Sequence, residues 1–317
     1  MIGATPQGDS RRLYSRMVRL HDDQVDIEID SVRRLIAEQF PEYRQLEVRP
    51  VSGSPATVSK LFRVGTALAA KFPLRRQDPE HAASWLTREA DGLRSFHAVS
   101  RLPSPVPVGI GDPGHGFPMP WMLQSWAAGT TATPTGVADA TAVAEDVAEL
   151  ILRMRGTDPS GFRVNGSGRG GDLSSHDAWV QECLRRSEGL LERDRAAERW
   201  QQFRVLPPPA ESVLCHGDLT PFNLLVRRNR LVGVLDGGGF GRADPALDLI
   251  VAWHLFDAPA RAVLRDLVGS DELEWRRGAA WAFEQAMGVV WYYRDTNPAM
   301  SALGRTTLAR ILDAADL

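Results

Sequence analysis

The stretch VLCHGDLTPFNLLVRRNRLVGVLDGGGF, residues 213–240, fixes how the rest of this chain folds around it. Short apolar, strand-forming runs alternate with a loop, and three oxygen-bearing side chains sit at set intervals: Asp218, Asn223 and, beyond an expected hairpin, Asp236. Taken singly, Asp218 and Asn223 read as turn residues and Asp236 as the end of a strand. Taken together, they supply a carboxylate able to accept a hydroxyl proton, and an amide oxygen and second carboxylate able to hold Mg²⁺ against phosphates. Phosphoryl transfer depends on positioning and charge neutralisation more than on covalent chemistry, and hard oxygen ligands on a short loop and hairpin suit it.

Upstream of this stretch the patterning is that of a small sheet. The run LEVRPVSGSPATVSKLFRVGTALAAKFPL (46–74) predicts three strands, broken at Ser52–Pro55 and at Gly65–Thr66. A short helix over 31–40 precedes them, with Asp30 as its N-cap, and a longer one follows over 79–99, with Asp78 capping and Pro79 in the first turn. PVPVGIGDPGHGFPMPWMLQSW (105–126) adds two strands around a Gly/Pro loop. Short connections predict antiparallel pairing. From Ala127 onward helices dominate, over 140–156, 176–203, 248–268 and 272–293. The pattern predicts an α+β molecule in two lobes with a cleft at their joint. Residues 165–175 (NGSGRGGDLSS) read as a flexible surface loop.

Composition narrows the function classes. The 317 residues carry a formal charge of -3, which gives no support to a nucleic-acid partner. No apolar run is long enough for a bilayer, and the charged start MIGATPQGDSRRLYSRMVRL lacks the apolar middle of a secretory signal, so a cytoplasmic globular enzyme is expected. Cys183 and Cys215 form neither a CxxC nor a Cys/His cluster. Of the 37 basic residues only Lys60 and Lys71 are lysines. In so arginine-rich a chain a retained lysine invites a reason, because a compact ammonium and a planar guanidinium are not interchangeable at a tight site.

HGDLTPFNLLV…GVLDGGGFGRADPALDLIVAW resembles the catalytic segment of the aminoglycoside phosphotransferase family, relatives of the protein kinases. FPEYRQLEVRPV, AAKFPL, LPSPVPVGIGDPGHGFPMPW and YYRDTNP are similar to other segments of that family, so the resemblance runs from residue 25 to about 312. It implies a protein-kinase-like, two-lobed α+β fold. A lead-in would occupy 1–24, a nucleotide-binding lobe 25–124, a hinge 125–129 and a catalytic and substrate lobe 130–317. By position it makes Asp218 the catalytic base and Asn223 and Asp236 the Mg²⁺ ligands. His216 would hold the loop by hydrogen bonds. Asp248 would brace it, although a plain helix-start residue is the alternative reading there. Lys71, on the third strand, would contact the α- and β-phosphates of ATP or GTP and pair with Glu89, in preference to Glu80 at the helix start. In the loop between the first two strands Ser54, Thr57 and Ser59 are candidate phosphate contacts, Lys60 reads as a solvated charge, and backbone groups of Ser125 and Ala127 would meet the purine.

The sequence departs from the family in two places. The phosphate loop is not GxGxxG, and Gly237, Gly238 and Gly239 follow Asp236 where relatives commonly carry a larger side chain, which predicts a flexible metal segment. The resemblance implies a cytoplasmic, monomeric kinase for a hydroxyl of an aminoglycoside or related antibiotic. Asp257, Glu284 and Asp295 are candidate acidic contacts for such a cation, each also readable as a solvated helix charge. Trp281, Trp291, Tyr292 and Tyr293 read as core. A kinase for choline, homoserine or a sugar is the alternative within this chemistry. A silent kinase-like binding protein would be expected to have lost Lys71, Asp218, Asn223 or Asp236, and none is lost.

Overall fold

Apolar runs joined by tight turns build the amino-terminal sheet. In the computed structural model, which describes residues 24–51, 59–137, 140–164, 168–315 and 317, strands β1 (Val48–Pro50), β2 (Ser59–Val64), β3 (Leu68–Pro73), β4 (Pro107–Gly111) and β5 (Trp121–Ser125) form one sheet. Its order is β1-β2-β3-β5-β4 with every pair antiparallel. Gly65 makes the β2–β3 turn at φ 56°, in the left-handed region. Ser54 and Thr57 lie outside the described residues, as does nearly all of the lead-in.

Helix α1 (Ile29–Gln39) lays Val32, Leu35 and Ile36 on one face of the sheet, over a core in which Phe72 stacks on Trp121 at 4.9 Å. Asp30 is not its cap: the helix begins two residues earlier than expected, after Glu28, and Asp30 pairs instead with Arg33 at 2.8 Å. Helix α2 (Pro79–Ser100) starts as its sequence predicts, with the Asp78 side chain accepting from the N–H groups of Glu80 and His81. It packs Leu86, Ala90 and Leu93 against Met122 of β5.

Beyond the sheet come helices α3 (Ala140–Arg155), α4 (Asp177–Arg186), α5 (Arg193–Phe203), α6 (Ile250–His254), α7 (Ala258–Val268), α8 (Glu272–Tyr292) and α9 (Pro298–Leu312). Two stretches expected as single helices are each broken. The 176–203 run splits between α4 and α5 around Gly189 at φ 72°, and the 248–268 run splits where Asp257 caps α7 and Pro259 opens it. Helix α9, which the strand and helix pattern above omitted, closes the bundle against α8: Gly304 sits so near Val290 and Ala286 that a Cβ there would collide. Cys183 and Cys215 are buried free thiols, and burial pushes Cys183 up to about 11. Among the described residues no helix is long and apolar enough to cross a membrane. The architecture is α+β, as the sequence pattern predicts, in the arrangement that the family resemblance implies.

Candidate active site

Five short strands carry the loop that opened the sequence reading. Strand β7 (Val213–Cys215) pairs with β10 (Gly241–Ala243), while β8 (Leu224–Arg227) and β9 (Arg230–Val234) form a hairpin extended by β6 (Thr130–Thr131). The hairpin turns on Arg228 and Asn229, both at positive φ (52° and 57°), the backbone that a two-residue hairpin loop demands. Its register brings Asn223 next to Asp236, since the Leu235 N–H donates to the Asn223 carbonyl at 2.7 Å. On the other side His216 Nε2 meets the Leu235 carbonyl at 2.9 Å, and the Asp218 N–H donates to His216 Nδ1 at 3.3 Å. With Nδ1 accepting and a carbonyl facing Nε2, the ring proton belongs on Nε2. Asp248, fully buried, accepts the N–H groups of His216 (3.2 Å) and Gly217 (2.8 Å). Burial pushes its carboxyl up, and those backbone donors pull against the shift.

Asp218 therefore sits on a loop held from three directions. Its Oδ2 accepts from Asn223 Nδ2 at 3.0 Å, and the same amide also donates to the Asp218 carbonyl at 2.9 Å. Its Oδ1 accepts from Gln285 Nε2 of α8 at 2.9 Å and from Arg169 Nη2 at 3.2 Å. Gln285 is fixed from behind: its Oε1 meets His254 Nε2 at 3.0 Å, and His254 Nδ1 meets the Thr307 hydroxyl at 2.8 Å. His254 is wholly buried, and that burial lowers its pKa to about 4.

Across the cleft Lys71, on the fully buried strand β3, contacts Glu89 of α2 and reaches Asp236 Oδ1 at 3.1 Å. Burial alone would draw the ammonium down, but Asp236 and Glu89 outweigh it and hold Lys71 above the usual lysine value. The same ammonium holds the Asp236 carboxyl below its usual value. Asp236 stands in the left-handed region at φ 60°, with 45% of its side chain exposed. The Asn223 amide nitrogen is engaged by the Asp218 carbonyl and carboxylate, so its amide oxygen is the atom that could serve a cation. The set is one carboxylate and one amide oxygen, and no cluster of three His, Cys, Asp or Glu side chains exists among the described residues. That suits Mg²⁺, which takes one or two protein oxygens and completes its shell with phosphate and water, better than a metal needing a protein cage. Glu89 Oε2 and Ser59 Oγ are buried in this part of the molecule without a hydrogen-bond partner.

Several sequence-based expectations change. Gly237 and Gly238 do not form a slack segment. They are buried in a tight turn under α2, where a Cβ on Gly237 would lie 2.6 Å from the Phe96 ring and one on Gly238 would overlap Glu89. Glycine there allows close approach rather than looseness. Lys60 is not a solvated charge: it donates to the Ile27 carbonyl at 3.0 Å and lies over the Phe62 ring. The Ser125 N–H is engaged by the Val106 carbonyl at 2.8 Å, so it has no N–H to offer a purine, whereas the Ala127 backbone makes no hydrogen bond among the described residues. Asp257 caps α7, Asp295 pairs with Arg294 on the surface, and Glu284 is buried against His176 at 3.1 Å. Trp281 and Tyr293 are core, but Tyr292 is exposed. The Gly/Ser-rich stretch does not wholly stand off in solvent: Gly168 is exposed, but Gly170 lies beside Leu247 and Asp244 and Arg169 reaches Asp218. Arg169, Gln285 and His254 went unnoticed in the sequence. An arginine framed by glycines is a visible oddity, but nothing local marks the other two.

Comparison with known proteins follows the same lines. The family model described as the phosphotransferase enzyme family matches residues 47–281. The aminoglycoside 3'-phosphotransferase of Streptomyces fradiae is 30% identical over 204 residues, taking in 55% of this chain and 66% of that protein. That of Escherichia coli is 36% identical over 63 residues, 20% of this chain and 23% of that one. The chain thus spans just under two thirds of the first of these relatives and less of the second. Among solved structures, the GDP complex of wild-type aminoglycoside 2'-phosphotransferase-IIIa superposes with a TM-score of 0.68 at 18% identity, covering 90% of this chain and 99% of that one. The macrolide 2'-phosphotransferase of Brachybacterium faecium does so at 0.55 and 16% identity, covering 88% and 97%. At such identities the likeness is one of fold.

Proposed function

The chain belongs to the phosphotransferase enzyme family, and we propose that it moves the γ-phosphate of ATP or GTP onto a hydroxyl of an aminoglycoside or related antibiotic. The observation that carries this reading is a continuous set: Lys71, paired with Glu89, reaches Asp236, the hairpin register sets Asp236 beside Asn223, and Asn223 is bonded to Asp218. Lys71, kept protonated by its two carboxylates, binds the α- and β-phosphates, and Glu89 holds it in place. Asn223 and Asp236 would hold Mg²⁺, which supplies neutralisation of the phosphate charge when bound. Asp218 takes the proton of the acceptor hydroxyl as that oxygen attacks, aimed by Asn223 and Gln285. His216 and Asp248 fix the loop on which it stands. The Ala127 backbone is the group at the hinge that can reach a purine edge. The sheet-bearing lobe (25–124) and helical lobe (130–317) would then meet at residues 125–129, with the chain acting as a monomer.

The test is coupled ADP or GDP release with kanamycin, gentamicin, streptomycin and a macrolide, with choline and homoserine alongside. Turnover on one of the antibiotics is expected. Turnover on choline or homoserine alone would replace the substrate class, and no turnover with intact nucleotide binding would sink the reading. Asp218→Ala should lower kcat by about 10²–10⁴-fold while leaving nucleotide affinity in place.

A further inference from the structure

The segment that carries Arg169 is built for placement. Gly168, Gly170 and Gly171 all sit at positive φ (94°, 95° and 139°), a backbone that other residues adopt only under strain. Downstream of Arg169 the segment is pinned. The Gly171 carbonyl accepts from the buried Arg277 Nη2 at 2.6 Å, and a Cβ on Gly170 would come within 3.0 Å of Leu247. Arg169 itself touches the catalytic loop with one nitrogen only. Nη2 reaches Asp218 Oδ1 at 3.2 Å, while Nη1 is buried with no hydrogen-bond partner. A buried guanidinium nitrogen left without an acceptor is costly, which points to an oxygen-bearing ligand that completes it.

The donors around Asp218 show which one must move. An acceptor hydroxyl has to reach a carboxylate oxygen, yet Oδ2 is occupied by Asn223 and Oδ1 by Gln285 and Arg169. Asn223 is tied to the Asp218 carbonyl, and Gln285 is backed by His254 and Thr307. Arg169 has no such backing at Nη1, so its side chain is the donor free to yield Oδ1 to the hydroxyl while the pinned backbone keeps it at the site. In a near-attack complex that hydroxyl oxygen lies only ~3–3.5 Å from phosphorus. A guanidinium released from Oδ1 then faces the phosphoryl oxygens, for which its planar fork is suited.

We propose that Arg169 is a catalytic residue that leaves Asp218 when substrates bind and grips the non-bridging oxygens of the transferring phosphoryl group. This rests on the phosphotransferase reading above. As the hydroxyl oxygen bonds to phosphorus, its proton passes to Asp218 Oδ1, and the bond to the bridging oxygen breaks with its electron pair going to the departing nucleoside diphosphate. Arg169 stays protonated throughout and balances the charge spread over the equatorial oxygens. It is an arginine supplied from within the chain, beside the proposed base Asp218.

The test needs no knowledge of the antibiotic. Binding of Mg²⁺–ADP and Mg²⁺–GDP is measured by calorimetry with and without aluminium fluoride, which mimics the transferring group, for the wild type, Arg169→Ala and Arg169→Lys. The wild type should bind the diphosphate more tightly with fluoride. Arg169→Ala should lose about 10²-fold or more of that tightening, with diphosphate affinity alone unchanged, and Arg169→Lys should keep only part of it. In nucleotide hydrolysis by water, kcat of Arg169→Ala should fall with KM unmoved, and millimolar guanidinium should restore part of it. Equal tightening in wild type and Arg169→Ala, or faster turnover in Arg169→Ala, would overturn the assignment alone. A matching loss of plain diphosphate affinity in Arg169→Ala would also overturn it, by showing a structural role. A wild type that binds neither diphosphate would sink the phosphotransferase reading itself.

Discussion

His254 lies buried between Gln285 and Thr307: Nε2 donates to Gln285 Oε1, and in the neutral ring Nδ1 accepts from the Thr307 hydroxyl. Its pKa in the folded chain, lowered by burial to about 4, falls below the unfolded value of 6.5. Between those values the unfolded chain binds the extra proton and the folded one does not, so stability rises with pH across that window. It is complete above pH 6.5, is lost as pH falls toward 4, and levels off below. The full effect is about 3 kcal/mol. Urea unfolding between pH 4.5 and 7.5 should show this slope for the wild type and a flatter one for His254→Gln. A single histidine in an apolar helix gives no hint of such a role. Lys71 was legible because lysine is so rare here, and Asp218, Asn223 and Asp236 because a loop and hairpin space them in sequence. Gln285 and His254 meet Asp218 only through the packing of α6 and α8, and no local pattern encodes that meeting.

The register between α2 and the turn at Gly237–Gly239 sets where Glu89 stands. Gly92 faces the Gly238 carbonyl so closely that a methyl group there would overlap it. Gly92→Ala should therefore push the helix off the turn, costing about 1–3 kcal/mol of stability by overpacking. It should also raise KM for the nucleotide, because Glu89 moves away from Lys71. Thermal melts and nucleotide KM on the same preparation check both effects. A stability loss with KM unchanged would show that the helix end near Glu89 does not depend on this contact. At this scale the sequence is legible where side chains announce an end, as Asp78 and Pro79 do for α2. It was misread at Gly237–Gly239, because glycine permits both slackness and close approach, and only the neighbour decides between them. The 248–268 run carried its own break in Asp257 and Pro259, but apolar periodicity continues across it and masks the signal.

One buried ion pair joins parts of the molecule far apart in sequence. Asp244, just past β10, accepts from Arg277 of α8 and from Trp281 Nε1 at 2.9 Å, while Arg277 also donates to the carbonyls of Pro207 (2.7 Å) and Gly171 (2.6 Å). Both charged side chains are almost completely buried. Arg277→Met should cost about 3–5 kcal/mol, since it leaves the Asp244 carboxylate buried without its cation. The folded fraction should also turn over more slowly, because Gly171 loses its anchor and Arg169 its placement. Denaturant titration and activity per folded molecule separate the two losses, and unchanged activity per folded molecule would show that Arg277 does not steer Arg169. The two lysines of the chain carry one more consequence. Lys71 is shut between Glu89 and Asp236 and held protonated, while Lys60 lies on the Ile27 carbonyl, so the ε-amines form a map of two points with unlike chemistry. The neutral-amine fraction of Lys71 is small, so an acyl-phosphate derivative of ATP should label it slowly, only while held at the proposed nucleotide site, and be blocked by excess nucleotide. Mass spectrometry would then report occupancy of the proposed nucleotide site from one tryptic peptide against a nearly silent background.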